Sequence, residues 1–360
     1  MITEKDELGS TNLSIQIQEQ MLDLYMGAIR ALRLLPPVHE TDYETTPHDV
    51  VYEEDSVKLL RYKATAKRLH QTPLLVVYAL VNRHYILDIE TRSVMKTLLN
   101  HGFDTYMIEW GTPSSNQKKL TIDYYVNGYV DRCVDVVRKI SNCSKISLFG
   151  YCMGGTFATI YTALHKEKVR NMITLAPPID CSKDTTVFGS LARFLEIDDF
   201  VDTLGDIPPS FQYLFFFMLK PFKHYIGKYN EVTEKIDDKD FIDKFMQLER
   251  WLWDTPPIPG EVFRQWVKDI YQKNLLVQNS LQIGEKVVDL SRIDVPLLNI
   301  VADSDHLVSP ESSKALNYTA SSKDKTLMLF PTGHIGLCAS SYSQKEVWPK
   351  VCQWLMERSD

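Results

Sequence analysis

A chain of 360 residues with 44% apolar and 24% charged residues has ample material for a buried core, and one catalytic body with a single insertion accounts for that length. The formal net charge of −7, with no Lys/Arg stripe interleaved with aromatics, argues against a nucleic-acid binder. Six scattered cysteines without a CxxC pair suggest neither a zinc site nor a disulfide framework, so a reducing cytoplasm is the expected compartment.

Residues 1–50 read as an amphipathic N-terminal helix and a Pro-containing linker, because Leu13, Ile17, Met21, Leu24 and Ile29 give a rough apolar stripe. Met1 leads into a polar, charged segment rather than an apolar run, so no signal peptide is expected. Strand-like Val57–Tyr62 begins the sheet in this reading. Pro73–Leu80 follows as a strand whose continuous apolar character marks burial on both faces. No apolar stretch, Leu74–Val81 included, approaches the ~20 residues of a membrane span. The alternation continues with a helix over Ser93–Asn100, a strand over Thr105–Trp110 and a long helix from Thr121 to about Ser141.

The next segment carries the chemistry. Ile146–Phe149 is apolar, and Gly150-Tyr151-Cys152-Met153-Gly154-Gly155 separates it from the helix-compatible Thr156–Tyr161. This is the pattern of a nucleophile elbow, a tight strand-to-helix turn that exposes its central residue, with cysteine in the usual place of serine. At the start of a helix, unpaired backbone N–H groups favour a thiolate, and the Met153 amide can face an oxyanion. In the α/β-hydrolase arrangement an acid and then a histidine follow the nucleophile, each on a loop after a later strand. Here the strand 296–302 precedes Asp303-Ser304-Asp305-His306, and the strand 326–330 precedes Gly333-His334-Ile335-Gly336. The order leaves Asp303 and Asp305 both open as the acid. It favours His334 over His306 as the base, since His334 follows the last strand and lies near flanking glycines. The exit of the early strand, Val81-Asn82-Arg83, is where this fold supplies a second oxyanion amide, assigned to Val81. The remaining histidines read as surface or loop residues, with His84 noted for its place near that loop.

After the strand Asn171–Ala176 the strand-helix rhythm breaks. Residues 180–279 are rich in aromatics and acids, and they interrupt the core where a lid is commonly inserted. The expected organisation is therefore a segment 1–50, a catalytic core over 51–179 and 280–360, and a lid or cap over 180–279. The expected fold is α/β, with a mostly parallel central sheet and helices on both faces. Within the lid, the apolar run from Tyr213 to Leu219 could face an apolar substrate or partner.

Taken together, Leu74–Arg83, Tyr129–Asp135, the elbow, Phe263-Arg264-Gln265-Trp266, Asp305-His306-Leu307-Val308 and Gly333–Gly336 resemble the polyhydroxyalkanoate synthases. The similarity is greatest to the short catalytic subunit of the class III enzymes, with class IV close by. That resemblance implies Cys152 as the acyl-carrying nucleophile, His334 as the base and Asp305, rather than Asp303, as the acid. It implies polymerisation of a hydroxyacyl-CoA, 3-hydroxybutyryl-CoA in the first instance, into polyester with release of CoA and no cofactor. It further implies a second, non-catalytic subunit, a homodimeric catalytic chain and a place at the surface of cytoplasmic polyester granules. A cysteine hydrolase of dienelactone-hydrolase or thioesterase type is the alternative, and the product separates the two.

Overall fold

The computed structural model describes residues 46–89, 92–219, 235 and 238–359. The expected N-terminal helix lies outside the described residues, as do His39 and His224.

Ten strands occur in the described residues: β1 His48–Glu54, β2 Val57–Tyr62, β3 Leu74–Val77, β4 Thr105–Glu109, β5 Ile146–Tyr151, β6 Val169–Leu175, β7 Gln282–Ile283, β8 Lys286–Val287, β9 Leu297–Ala302 and β10 Lys325–Phe330. β7 and β8 form a separate two-stranded ribbon. The other eight make one sheet in the order β1-β2-β4-β3-β5-β6-β9-β10. β2 runs antiparallel to β1 and β4, whereas β4, β3, β5, β6, β9 and β10 are all mutually parallel to their neighbours. The central strands β3, β5 and β9 are buried along their whole lengths. That is why they appear in the sequence as unbroken apolar runs rather than alternating ones.

Four sequence expectations are corrected or refined here. The sheet begins at β1 rather than at Val57, so the strand starts inside the expected linker. β1 was hidden because it is an edge strand of sequence His-Asp-Val-Val-Tyr-Glu-Glu, half solvated and kinked between Val50 and Tyr52, with no apolar run to announce it. β3 is shorter than the apolar run around it, since beyond Val77 the chain leaves the ladder and Tyr78 O accepts from Trp110 Nε1 at 2.8 Å. His70 and His84 are buried, not surface residues, and the His70 ring stacks on Phe103 at 4.5 Å. The expected helix from Thr121 is present but changes its winding, being a π-helix over Tyr124–Val130 and an α-helix over Asp131–Ser141.

Between β6 and β7 the described residues are helical, with helices Val187–Phe194, Ile197–Leu204, Pro209–Leu219, Lys239–Trp253, Gly260–Gln265 and Trp266–Gln272. Grouped by contacts, the chain forms two units. The larger comprises Tyr43–Leu219 and Trp251–Asp360 and holds the sheet. The smaller comprises Met1–Asp42 and Lys220–Arg250, so the segment 180–279 contributes to both units. Within the smaller unit, the Asp238 carboxylate accepts from the Phe241 N–H at 3.1 Å, near the start of the helix Lys239–Trp253. Among the described residues no helix is long and apolar enough to cross a membrane.

Candidate active site

Cys152 lies between the last residue of β5 and the helix Met153–His165, with φ 54° and ψ −125°. A non-glycine residue at positive φ is strained and persists only where its surroundings fix it. The clamps are visible. Cys152 N donates to Leu175 O at 2.8 Å, tying the turn to β6, and Cys152 O accepts from the N–H groups of Gly155 and Thr156. The glycines allow the close approach this requires. A Cβ on Gly154 would lie 2.1 Å from Val77 O, and one on Gly150 would lie 2.5 Å from Gly154 O. Met153 opens the helix, where the first N–H groups have no intrahelical acceptor, so its amide is available beside the sulfur.

The loop after β9 delivers Asp305 and the loop after β10 delivers His334. Their side chains meet at 2.7 Å, His334 Nδ1 to Asp305 Oδ2, in a pair whose side chains are 6% and 1% exposed. The other carboxylate oxygen, Oδ1, accepts from Leu307 N at 2.8 Å and Val308 N at 3.0 Å. Asp305 is thereby oriented from both sides. Asp303 is exposed, and its backbone N–H donates to Phe330 O. The structure brings Asp305 to His334 and leaves Asp303 in solvent. His306 is exposed as well, while His84, in the short helix His84–Asp88, is not among the residues lining the cavity described below.

Tyr151, the residue between the elbow's first glycine and Cys152, was missed as a functional residue. Its ring stacks on the His334 imidazole at 5.1 Å and 27°, and its hydroxyl donates to His334 O at 3.2 Å. The signal was present in its position, adjacent to the nucleophile in a fully buried strand. Burial alone would lower the pKa of His334, but the Asp305 carboxylate and then the Cys152 sulfur outweigh it and hold the imidazole well above its ordinary value of 6.5. Burial is also the main reason that Tyr78, Tyr151 and Tyr271 stand well above the ordinary phenol value, with the charge of Cys152 among the further causes. These three remain neutral O–H groups.

Cys152, Met153, Val81 and His334 share one cavity of about 460 Å³. Its wall is almost wholly apolar. Phe211, Phe215 and Phe216 come from the helix Pro209–Leu219, Trp251 and Leu252 from the end of the helix Lys239–Trp253, and Trp266 from the Phe263–Trp266 motif. Of the apolar run from Tyr213 to Leu219, Phe215 and Phe216 line the cavity, whereas Tyr213 donates its hydroxyl to Trp253 O and Leu214 is 53% exposed. Arg264 of the same motif points away from the cavity chemistry, pairing with Asp198, Asp202 and Glu261. All six cysteines are free thiols, and Cys152 alone among them lines this cavity.

Such a site suits acyl transfer: a sulfur at the head of a helix, an imidazole anchored by a carboxylate, and an apolar chamber that Val81 also lines. Residues 72–338 match the family model described as alpha/beta hydrolase fold, and residues 40–98 match that of the poly-beta-hydroxybutyrate polymerase (PhaC) N-terminus. Among curated proteins, the chain is 41% identical to the poly(3-hydroxyalkanoate) polymerase subunit PhaC of Allochromatium vinosum, over 95% of this chain and 98% of that one. The like-named subunit of Thiocystis violacea is 40% identical over 96% and 98%, and that of Synechocystis is 38% identical over 94% and 92%. Among solved structures, a monoacylglycerol lipase of Paleococcus ferrophilus superposes with a TM-score of 0.52 at 18% identity, covering 83% of this chain and 99% of that one. A lipase from Sulfolobus solfataricus gives 0.54 at 15% identity over 86% and 99%. At such identities these structures speak for the fold alone.

Proposed function

The chain belongs to the family of poly(3-hydroxyalkanoate) polymerase subunits, and we propose from that premise that it polymerises (R)-3-hydroxyacyl-CoA into polyester through an acyl thioester on Cys152. The observation that carries this reading is identity of about 40% along nearly the full length of relatives so named. The arrangement around Cys152 supports the mechanism.

His334, with Asp305 accepting from its Nδ1, takes the Cys152 proton at Nε2 as the sulfur is engaged. The thiolate attacks the thioester carbonyl, and the amides of Met153 and Val81 bind the oxyanion, each donor worth ~2.7–4 kcal/mol in such sites. The C–S bond to CoA breaks, and the departing CoA thiolate takes the proton from His334. One thioester has replaced another at little cost in free energy. The imidazole, neutral again, takes the proton from the 3-hydroxyl of a second acyl group as that oxygen attacks the Cys152 thioester. The ester forms, the Cys152 thiolate departs, and the imidazolium is restored. A serine at this position would hold the acyl group as a lower-energy ester and transfer it less readily.

No cofactor enters these steps, and CoA is the leaving group. The chain works as a subunit with a second, non-catalytic subunit and as a homodimer, at the surface of the granule it makes; the relatives' designation as subunits supports a multi-subunit enzyme. The test is the product. With 3-hydroxybutyryl-CoA, with and without a candidate partner subunit, CoA release should be matched by insoluble polyester. Stoichiometric free 3-hydroxybutyrate would identify a hydrolase instead.

A further inference from the structure

The loop that carries the Val81 amide is bound to a segment some 170 residues later in the chain. Asn82 sits at φ 61°, buried to 5% exposure. Its side-chain amide donates to Thr255 Oγ1 at 2.7 Å, with Trp251 O and Leu252 O at 3.3 and 3.4 Å. Arg83 Nε meets Asp254 Oδ1 at 3.0 Å in an ion pair whose side chains are 19% and 22% exposed. The other oxygen of Asp254 accepts from the Tyr85 hydroxyl at 3.1 Å. The return contact is Trp251 Nε1 to Arg83 O at 2.7 Å. Trp251 and Leu252, in the middle of this segment, form part of the cavity wall.

These contacts converge on one loop for a physical reason. A left-handed Asn costs on the order of 1 kcal/mol against an extended backbone, although less than most residues would. Turning the chain at Asn82 sets the peptide that holds the Val81 carbonyl, and anchoring Asn82 and Arg83 restrains the short loop in which the Val81 N–H lies one peptide earlier. The partly buried ion pair and the hydrogen bonds to the 251–255 segment supply the surroundings that hold this conformation. Among the described residues the Asn82 side chain bonds to the 251–255 segment, while Arg83 also reaches Thr112 Oγ1 at 2.9 Å.

We propose that Asn82, Arg83 and Asp254 form a latch through which docking of the 251–255 segment positions the Val81 amide, so that the oxyanion site is complete only while this wall of the cavity is closed. They are positioning residues, acting through the Val81 amide. The inference rests on the reading of that amide as an oxyanion donor, and not on whether the product is polyester or free acid. It links access and chemistry. When the 251–255 segment moves away, the acyl thioester on Cys152 loses oxyanion stabilisation while it is exposed to water, and hydrolysis is slow at the moment water could enter.

Three variants of the full-length chain test this. Asn82→Gly keeps the positive φ accessible and removes the side-chain contacts. Asp254→Asn preserves shape and removes the charge, and Arg83 is compared as Gln and as Lys. CoA release from 3-hydroxybutyryl-CoA should show kcat lowered by about 10- to 100-fold in Asn82→Gly and Asp254→Asn, with KM within about threefold of wild type. Arg83→Lys should retain more kcat than Arg83→Gln. Alkylation of Cys152 by iodoacetamide, a displacement that forms no oxyanion, should stay within about twofold in all of them. The latch is refuted if kcat is unchanged in both Asp254→Asn and Arg83→Gln, or if alkylation falls in step with kcat, since the contacts would then merely hold the fold together. The product formed by the wild type is identified separately, so a free-acid product would overturn the polymerase reading and leave the latch standing.

Discussion

His334 is held at three points: Nδ1 on Asp305, the ring face on Tyr151, and its carbonyl on the Tyr151 hydroxyl. The 2.7 Å contact with a carboxylate that two backbone N–H groups already orient leaves the imidazole little freedom. Asp305→Asn replaces an acceptor with a group that can present an N–H to the ring, so the wrong tautomer is favoured and the charge on the imidazolium goes uncompensated. We expect kcat for CoA release to fall by about 10³- to 10⁴-fold in Asp305→Asn, and by no more than about twofold in the exposed Asp303→Asn. The reverse ranking in steady-state assays would assign the acid to the wrong residue. The raised imidazole also has a consequence for stability. A folded-state value above the unfolded 6.5 means that the folded state holds the proton more tightly, so this contribution is fully present below 6.5 and is lost as pH rises through the folded-state value. His334→Gln should accordingly lower Tm most below pH 6.5, with the deficit shrinking as pH rises through the folded-state value. A Tm difference that grows with pH would contradict the direction of the shift.

The elbow connects that residue-level chemistry to the sheet. Helix propensity alone would favour Gly154→Ala by up to about 1 kcal/mol, yet a Cβ there would overlap Val77 O at 2.1 Å. Overlap with backbone cannot be relieved by a rotamer change, so overpacking of about 1–3 kcal/mol or more decides the sign. Gly154→Ala should lower Tm and denaturation midpoint, and should push β3 away from the elbow, reducing activity further than stability alone explains. Gly205→Ala is the contrast: at φ 69° and ψ −113° with nothing within 4 Å of its Cβ, it meets backbone strain of about 1–3 kcal/mol and no overlap, so it should cost stability without touching activity. Unchanged activity in a folded Gly154→Ala would show that close approach is not what that glycine provides. The same elements explain what was legible in the sequence. β3, β5 and β9 are buried on both faces and betray themselves by apolar runs, and the elbow by its glycines, because each local pattern has one structural cause. β1 lacks such a signature as a half-solvated edge. Tyr151, Asn82 and Asp254 were not assigned roles for another reason: their partners lie about 170 to 183 residues away, and no local pattern encodes a pairing of that span.

At the scale of the whole molecule, the question is how a large, charged CoA thioester reaches a sulfur in an apolar chamber while water is kept from the acyl enzyme. Cys152 is only partly buried, at a cavity of about 460 Å³, the size of a site for a single drug-like ligand, so only the acyl-thioester end of a CoA fits inside it. Phe211, Phe215 and Phe216 present one wall, and Trp251 with Leu252 another. Leu191 and Phe194 also line the cavity yet are 47% and 85% exposed, which places them where it meets solvent. A polymer chain leaving this chamber must displace the wall of Phe211, Phe215 and Phe216 while the 251–255 segment stays docked, so the protein should relax toward a state open on that side as it acquires an acyl chain or a partner subunit. The size of a thiol reagent reads this directly. Iodoacetamide should modify Cys152 readily in the isolated chain, whereas a fluorescein-bearing maleimide should react far more slowly than it does with a free thiol. Addition of a second subunit should raise the rate for the bulky reagent by about tenfold and leave the small one nearly unchanged. A bulky reagent that reacts with the isolated chain as freely as with a free thiol, and indifferently to the partner, would show that these walls do not restrict access, and their aromatics would then be ordinary packing of the helical insertion.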